Sequence, residues 1–529
     1  MTVQRDLFVE MSDGVKLAVR LHLPAGAGLF PTLFGVSPYR FDNDDLPDTK
    51  RFLWRETGPI HWYLEQGYAY VRLDVRGSGR SGGDYGFFNA RERRDLYEVI
   101  EWIAAQPWSS GKVGGIGESY YGTSQWFMAA EKPPHLTCIA PYDGHIDLYN
   151  GWAYTGGIPS EFMSLWWNNT VRPINRNPAQ GESRHIPFDL SYQIGLHQTY
   201  DDFWKERELY SKLPDVTIPV YSIGVWAKMD LHLGGNIAGW DLVKGPKWLM
   251  ITGAPNAFEA CAEFETPAFH ERVLLPFYDR YLKGIENGFE NKPAVETFVR
   301  GQGTLRASTA WPPSDVSERV FYLGDQRSGT VESLNDGSLD PTPPAQNGET
   351  GYDYPRANWA IGVATLDAKG PDPLREILTF TSAPLERDIE IAGPCELVVH
   401  LSSTAKDADL IVRLSDAPDG GRANVITKGW LRASHRQLVK ERSRPRAPAL
   451  DHSREVPVPP NEIIECRVPL MHAGYLAKAG TRLRLEIANG DSLLTDPIFS
   501  HAYTPDRVGR DTIHHSPEHP TRLLLSVLE

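Results

Sequence analysis

The spacing of apolar positions changes twice along the chain, and those changes mark out its organisation. Residues 6–23 read as a β-hairpin: Leu7, Val9 and Met11 alternate with polar residues, Asp13-Gly14 supplies the turn, and alternation resumes from Lys16 to Leu23. Pro31 to Val36 and Tyr68 to Leu73 are short unbroken apolar runs of the buried-strand type. The first ends in Ser37-Pro38-Tyr39-Arg40, the second in the glycine-rich turn from Asp74 to Gly83. Leu96, Val99, Ile100 and Ile103 repeat at helical spacing, so 91–105 is predicted to be an amphipathic helix. A strand at 113–116, a helix from Tyr121 to Glu131 and a strand from Leu136 to Ala140 follow. Strand and helix alternating over short connections indicate a parallel sheet covered on both faces.

From 146 to 214 the rhythm gives way to helical and polar segments carrying Trp152, Trp166, Trp167 and Trp204, the pattern of an insertion that could roof a pocket. Strands resume at Ile218–Ile223 and Lys247–Thr252, and a helix from Pro267 to Lys283, kinked by Pro276, closes the unit. Residues 325–350, rich in Pro, Gly, Ser and Asp, read as a linker or long loop. Beyond them lie short strand-like runs at 377–381, 396–402, 410–414, 463–468, 482–487 and 522–527, with no helical pattern, which suggests a β-sandwich. The expected division is 1–145 and 216–300 for the α/β domain, 146–215 for a helical cap, and 301–529 for the β domain.

A chain of 529 residues exceeds what one core organises, in keeping with two or three domains. The formal charge of −14 argues against a nucleic-acid binder, because phosphate backbones are held by Lys and Arg. Four scattered cysteines, Cys138, Cys261, Cys395 and Cys466, lack metal-ligand spacing and read as buried free thiols. No signal-peptide core follows Met1 and no apolar run reaches the roughly 20 residues of a membrane span, so a cytoplasmic protein without membrane contact, metal or cofactor is expected.

The chemistry centres on Gly117-Glu118-Ser119-Tyr120-Tyr121-Gly122, between a buried strand and a helix. Such a bend lifts a serine hydroxyl clear of the sheet and aims the next backbone N–H at a developing oxyanion. The second glycine stands one place later than in Gly-x-Ser-x-Gly. The alternative is that Ser119 merely caps the helix. Glu118, next to it, reads as a helix-start carboxylate.

The run Gln106 to Gly114 leading into the bend resembles the cocaine-esterase and X-prolyl dipeptidyl-peptidase group of serine hydrolases. So do Asp74-x-Arg76-Gly77-x-Gly79-x-Ser81-x-Gly83, Lys132-Pro133-Pro134-His135, Asp407-Ala408-Asp409, Gly429 to His435 and Ile513 to Pro520. The resemblance implies an α/β-hydrolase domain with a helical cap and a C-terminal jelly-roll domain of the galactose-binding-like kind. It implies cleavage of a small ester or amide through an acyl-serine intermediate. It also implies an oxyanion site made by the Tyr39 phenol and the Tyr120 backbone N–H.

Two positions depart from the pattern. Where relatives carry Gly-Trp-x-Asp, this chain has Gly224-Val225-Trp226-Ala227-Lys228-Met229-Asp230-Leu231-His232. Where they carry a histidine after the eighth strand, Gly253 to Glu259 contains none. Asp230 can replace the acid and His232 the base. Other bases are His145 with Asp143 or Asp147, His270 downstream, or Lys228 if its neutral form is accessible. Glu161 in the insertion could hold a substrate amine. The leading expectation is a carboxylesterase-like serine hydrolase with a rearranged triad acting on a small ester or amide, its β domain able to support a homodimer. The alternatives are acyl transfer or cyclisation, and a ligand-binding protein on a hydrolase scaffold.

Overall fold

The structure, a computed structural model, describes residues 3–42, 56–178, 181–355, 365–367, 370–372, 377–419, 423–490 and 505–528. Contacts divide the chain into two units. The first comprises Met1–Gly151, Met163–Leu196 and Asp202–Thr297; the second comprises Trp152–Phe162, His197–Asp201 and Phe298–Glu529.

In the first unit Val3–Glu10 (β1) and Lys16–Leu23 (β2) form the hairpin, with Glu10 opposite Lys16. Phe30–Ser37 (β3), Ala69–Asp74 (β4), Ser109–Gly115 (β5), Leu136–Ile139 (β6), Val220–Val225 (β7), Lys247–Thr252 (β8) and Val295–Val299 (β9) continue the sheet in the order β1-β2-β4-β3-β5-β6-β7-β8-β9. From β4 onward neighbours are parallel. Every residue of β4 and β7 is buried, which is why these strands read as continuous rather than alternating runs.

Ile60–Glu65 (α1), Ala90–Ala104 (α2), Tyr120–Glu131 (α3) and Gly234–Leu242 (α4) are among the helices of this unit. The four apolar positions expected on one face of α2 are buried, and Asn89 caps it by accepting from the Glu92 N–H at 2.9 Å. Helix α3 is buried from Tyr120 to Ala130. The predicted last helix breaks into Pro267–Val273, Leu275–Tyr278 and a π-turn at Asp279–Lys283, because Pro276 removes a backbone donor. The insertion supplies the turn Trp167–Val171 and helices Arg172–Arg176, Leu190–Leu196 and Asp202–Lys205. Its Trp167 and Trp204 are core residues, and Trp167 stacks on Tyr85 with ring centres 5.4 Å apart.

The second unit is all-β. Ser317–Gly324 (β10), Gly337–Asp340 (β11), Glu349–Tyr354 (β12), Leu378–Thr381 (β13), Ile389–Ser403 (β14), Asp409–Ala417 (β15), Asn424–Arg432 (β16), Ile464–Ala477 (β17), Arg482–Ala488 (β18), Gly509–His514 (β19) and Arg522–Leu528 (β20) are joined in the order β12-β19-β14-β17-β16-β15-β18-β13-β11-β10-β20. Strand β20 also pairs with β14, so the sheet closes on itself. The 15-residue β14 manages this by a bulge between Gly393 and Cys395. Strands β11 and β12 lie inside or across the stretch 325–350 expected to be a loop; cross-strand pairing overrides its turn-rich composition.

Candidate active site

Residues after the C-terminal ends of four adjacent parallel strands, β3, β5, β6 and β7, meet at one edge of the sheet, where ligands of open α/β sheets bind. Ser119 follows β5 in a left-handed conformation, φ 62° and ψ −114°, strain of about 1–3 kcal/mol that its surroundings must hold. The bend is fixed from three sides. The Glu118 N–H donates to the Glu56 carbonyl (2.9 Å), the Ser119 N–H to the Tyr142 carbonyl (3.0 Å), and the Thr123 N–H to the Ser119 carbonyl (2.8 Å). Gly117, at φ 123°, has no room for a side chain: a Cβ would stand 2.3 Å from Tyr121 Cβ. Ser119 is half-buried between the fully buried Glu118 and Tyr120 and caps nothing with its hydroxyl, which answers the helix-cap alternative.

Tyr39 follows β3 and is buried. The Trp166 indole N–H of the insertion donates to its hydroxyl at 3.0 Å. Burial, and next the nearby Glu56, push Tyr39 well above the ordinary tyrosine range, so it stays a neutral donor. The Tyr120 N–H, first of α3, makes no hydrogen bond to any described residue. Behind the bend the Tyr120 hydroxyl donates to Glu92 (2.8 Å), whose carboxyl is raised by burial to about 7.

Among the described residues no imidazole or amine hydrogen-bonds to Ser119. Ser119 Oγ has no hydrogen-bond partner among the described residues. Lys228 is no neutral amine. Its buried ammonium is hydrogen-bonded to Glu118 and lies 3.0 Å from Asp143 and 3.3 Å from the Cys261 thiol. Burial opposes its charge, but Asp143 and Glu118 outweigh burial and raise it well above the ordinary lysine value. The serine–lysine alternative is thereby corrected. His270 is also removed: it is buried, with Nδ1 2.8 Å from the Tyr63 hydroxyl and Nε2 2.5 Å from the Phe264 carbonyl. His145 is buried and accepts from the Asp147 backbone N–H at 3.1 Å, an orientation that does not serve Ser119. Asp230 and His232 share the buried π-turn Met229–Leu233 after β7, and the structure does not hydrogen-bond either to Ser119. Burial first, then the charge of Lys228, then His145, hold His232 well below the ordinary histidine value, so its ring is neutral. Asp147 is likewise buried, its carboxylate accepting from the Tyr149 and Asn150 N–H groups, and Glu161 is exposed.

Glu118 is no helix-start carboxylate; it points into a buried cluster instead. The Cys261 thiol donates to it at 3.0 Å, and Glu56 and Asp143 stand close by. Three buried carboxyls thus share one ammonium. Burial, and next the charge of Glu118, raise Glu56 well above the ordinary glutamate range. Glu56 and Cys261 carried no sequence signal, since neither lies in a recognisable motif; Cys261 is only half-buried rather than a sealed core thiol. Among the described residues no group of three or more His, Cys, Asp and Glu side chains is arranged to hold a metal ion, and no helix is long and apolar enough to cross a membrane.

Comparison with known proteins agrees with this architecture. Residues 13–254 match the X-Pro dipeptidyl-peptidase (S15 family), and residues 287–524 match the X-Pro dipeptidyl-peptidase C-terminal non-catalytic domain. Cocaine esterase of a Rhodococcus species is 25% identical over 603 residues, covering 100% of this chain and 99% of its own. A CocE/NonD family hydrolase from Staphylococcus aureus superposes with a TM-score of 0.84 at 25% identity, covering 99% of this chain and 93% of that one. An alpha-amino acid ester hydrolase superposes with a TM-score of 0.74 at 20% identity over 99% and 96%, a likeness of fold.

Proposed function

We infer, from the premise that this chain belongs to the X-Pro dipeptidyl-peptidase (S15) and cocaine-esterase family of serine hydrolases, that Ser119 accepts the acyl group of a small ester or amide. The observation carrying this reading is the unoccupied Tyr120 N–H beside a strained, half-exposed serine, with the Tyr39 phenol on the neighbouring strand end. In this reading the carbonyl carbon bonds to Ser119 Oγ while its oxygen takes charge between the Tyr39 O–H and the Tyr120 N–H. The serine proton passes to a base, and the alkoxide or amine leaves. Water then releases the acid from the acyl-serine.

The base in this reading is His232, with Asp230 on the same turn. Protonating it places an imidazolium near the fixed ammonium of Lys228, which costs energy in a buried site. Turnover is therefore slow and favours esters with good leaving groups, which demand least of the base. Lys228 and the missing downstream histidine also favour a second reading, in which the acyl-serine is resolved by a bound nucleophile instead of water.

A fluorophosphonate probe tests the nucleophile, since it requires an activated serine and an oxyanion site. Stoichiometric labelling of Ser119, absent in Ser119→Ala, is expected. A folded protein that stays unlabelled would make this a binding protein on a hydrolase scaffold.

A further inference from the structure

The insertion of this acidic chain carries a pocket lined by three arginines and not by Ser119. A cavity of about 430 Å³ is lined by Arg172, Arg176, Arg184, His185, Asn168 and Asn177, among others. That volume lies within the usual range for small-ligand sites. Arg172 is partly neutralised by Asp189 at 3.5 Å and also donates to Asn168. The other two arginines form no salt bridge among the described residues, although Asp84 and Asp74 lie near enough to Arg184 to favour its charge. Arg184 donates from Nε to the Gly77 carbonyl (3.0 Å) and from Nη2 to the Gly83 carbonyl (2.8 Å), and no carboxylate pairs with it. Two backbone acceptors fix its guanidinium while Nη1 keeps two hydrogens to give. Burial lowers Arg184 from the ordinary arginine value; the nearby Asp84 and Asp74 oppose that shift and Arg40 adds to it. The exposed Arg176 side chain has no partner among the described residues.

The pocket wall is built, not frayed. Buried Asn175, inside the helix that carries Arg172 and Arg176, donates to the Pro38 carbonyl (3.0 Å) and accepts from the Gly79 N–H (2.6 Å). The glycine-rich turn thus anchors both the helix and Arg184. In a protein of net charge −14, three arginines lining one pocket, of which only Arg172 is in a salt bridge among the described residues, favour negative charge.

We propose that this pocket binds a small oxyanion, a carboxylate or phosphate group, held by Arg184 and Arg176 and distinct from the acyl site at Ser119. Planar, forked donors suit both groups, so the pocket selects for negative charge on oxygen acceptors, and the parent acid is left to experiment.

Isothermal titration of the full chain with inorganic phosphate and separately with citrate, at ionic strength held constant with chloride, tests this. Saturable binding of at least one is expected, and which one binds assigns the phosphoryl or carboxyl class. Arg176→Gln, an exposed change that leaves folding intact, should weaken it about tenfold or more, and Ser119→Ala should leave it unchanged. Absence of saturable binding to either anion, or binding that survives Arg176→Gln, overturns the proposal. So does binding lost in Tyr39→Phe and retained in Arg176→Gln, which would put the anion at the oxyanion donors instead. Because no arm reads turnover, failure here leaves the assignment of Ser119 standing, and failure there leaves this one.

Discussion

Gly122 faces the carbonyl of Tyr142 so closely that a Cβ on it would lie 2.3 Å from that oxygen and 3.2 Å from the Gly144 nitrogen. This accounts for the second glycine of the bend standing one place late. Here the small residue serves the approach of α3 to the chain leaving β6. That same Tyr142 carbonyl accepts from the Ser119 N–H, so the packing and the bend are one structure. Gly122→Ala should destabilise the first unit by about 3 kcal/mol, because both obstructing atoms are backbone. Urea unfolding measures it; a cost below that of an ordinary surface substitution would refute the close packing.

Tyr39→Phe removes one of the two proposed oxyanion donors and little volume. Turnover of an activated ester should fall about 100-fold in kcat with KM nearly unchanged, as for loss of a single oxyanion donor. Equal losses in binding and turnover would instead give the phenol a role in ground-state contact.

Lys228→Met leaves Glu118 and Asp143 buried without their cation. The expected loss is about 3–5 kcal/mol at neutral pH, the usual consequence of breaking a buried pair from one side. Acidification should recover part of it, since Asp143, already raised by burial, then binds a proton in the folded state. Unchanged stability at neutral pH would rule out a charged Lys228.

Glu92 gives a pH dependence of opposite sign to the familiar paired carboxylate. Its folded value, about 7, lies above the ordinary glutamate value because burial outweighs the bonds from the Phe88 N–H and Tyr120 O–H. The folded state therefore holds a proton that the unfolded chain has given up, and stability falls as pH rises through that window. Relative to wild type, Glu92→Gln should gain up to about 1.4 kcal/mol per pH unit between roughly pH 5 and 7, levelling above 7. A difference independent of pH would mean that Glu92 is ionised throughout. Chemical denaturation at several pH values checks this.

Much of the fold was legible because its signals are local. The hairpin, the apolar face of α2 and the runs of β3, β4 and β8 are written within single elements. The β unit was read less completely. The Gly393-Pro394 pair concealed the first half of β14, and Asn424–Arg432 and Gly509–His514 gained their strand character only from neighbours distant in sequence. The site divides the same way. Ser119, Tyr39 and Tyr120 sit in motifs with a fixed local geometry. The ammonium at Lys228 depends on Glu118, Asp143 and Cys261, brought together from three other parts of the chain, so its protonation could not be seen from spacing.

Lys228 also bears on what an acid placed at that position would meet. An aspartate at 228 would meet Glu56, Glu118 and Asp143 with no cation left to balance them. One substitution alone is thus opposed: the neighbouring carboxyls depend on this ammonium, and an engineer installing a conventional relay would have to neutralise them first, before placing any histidine downstream.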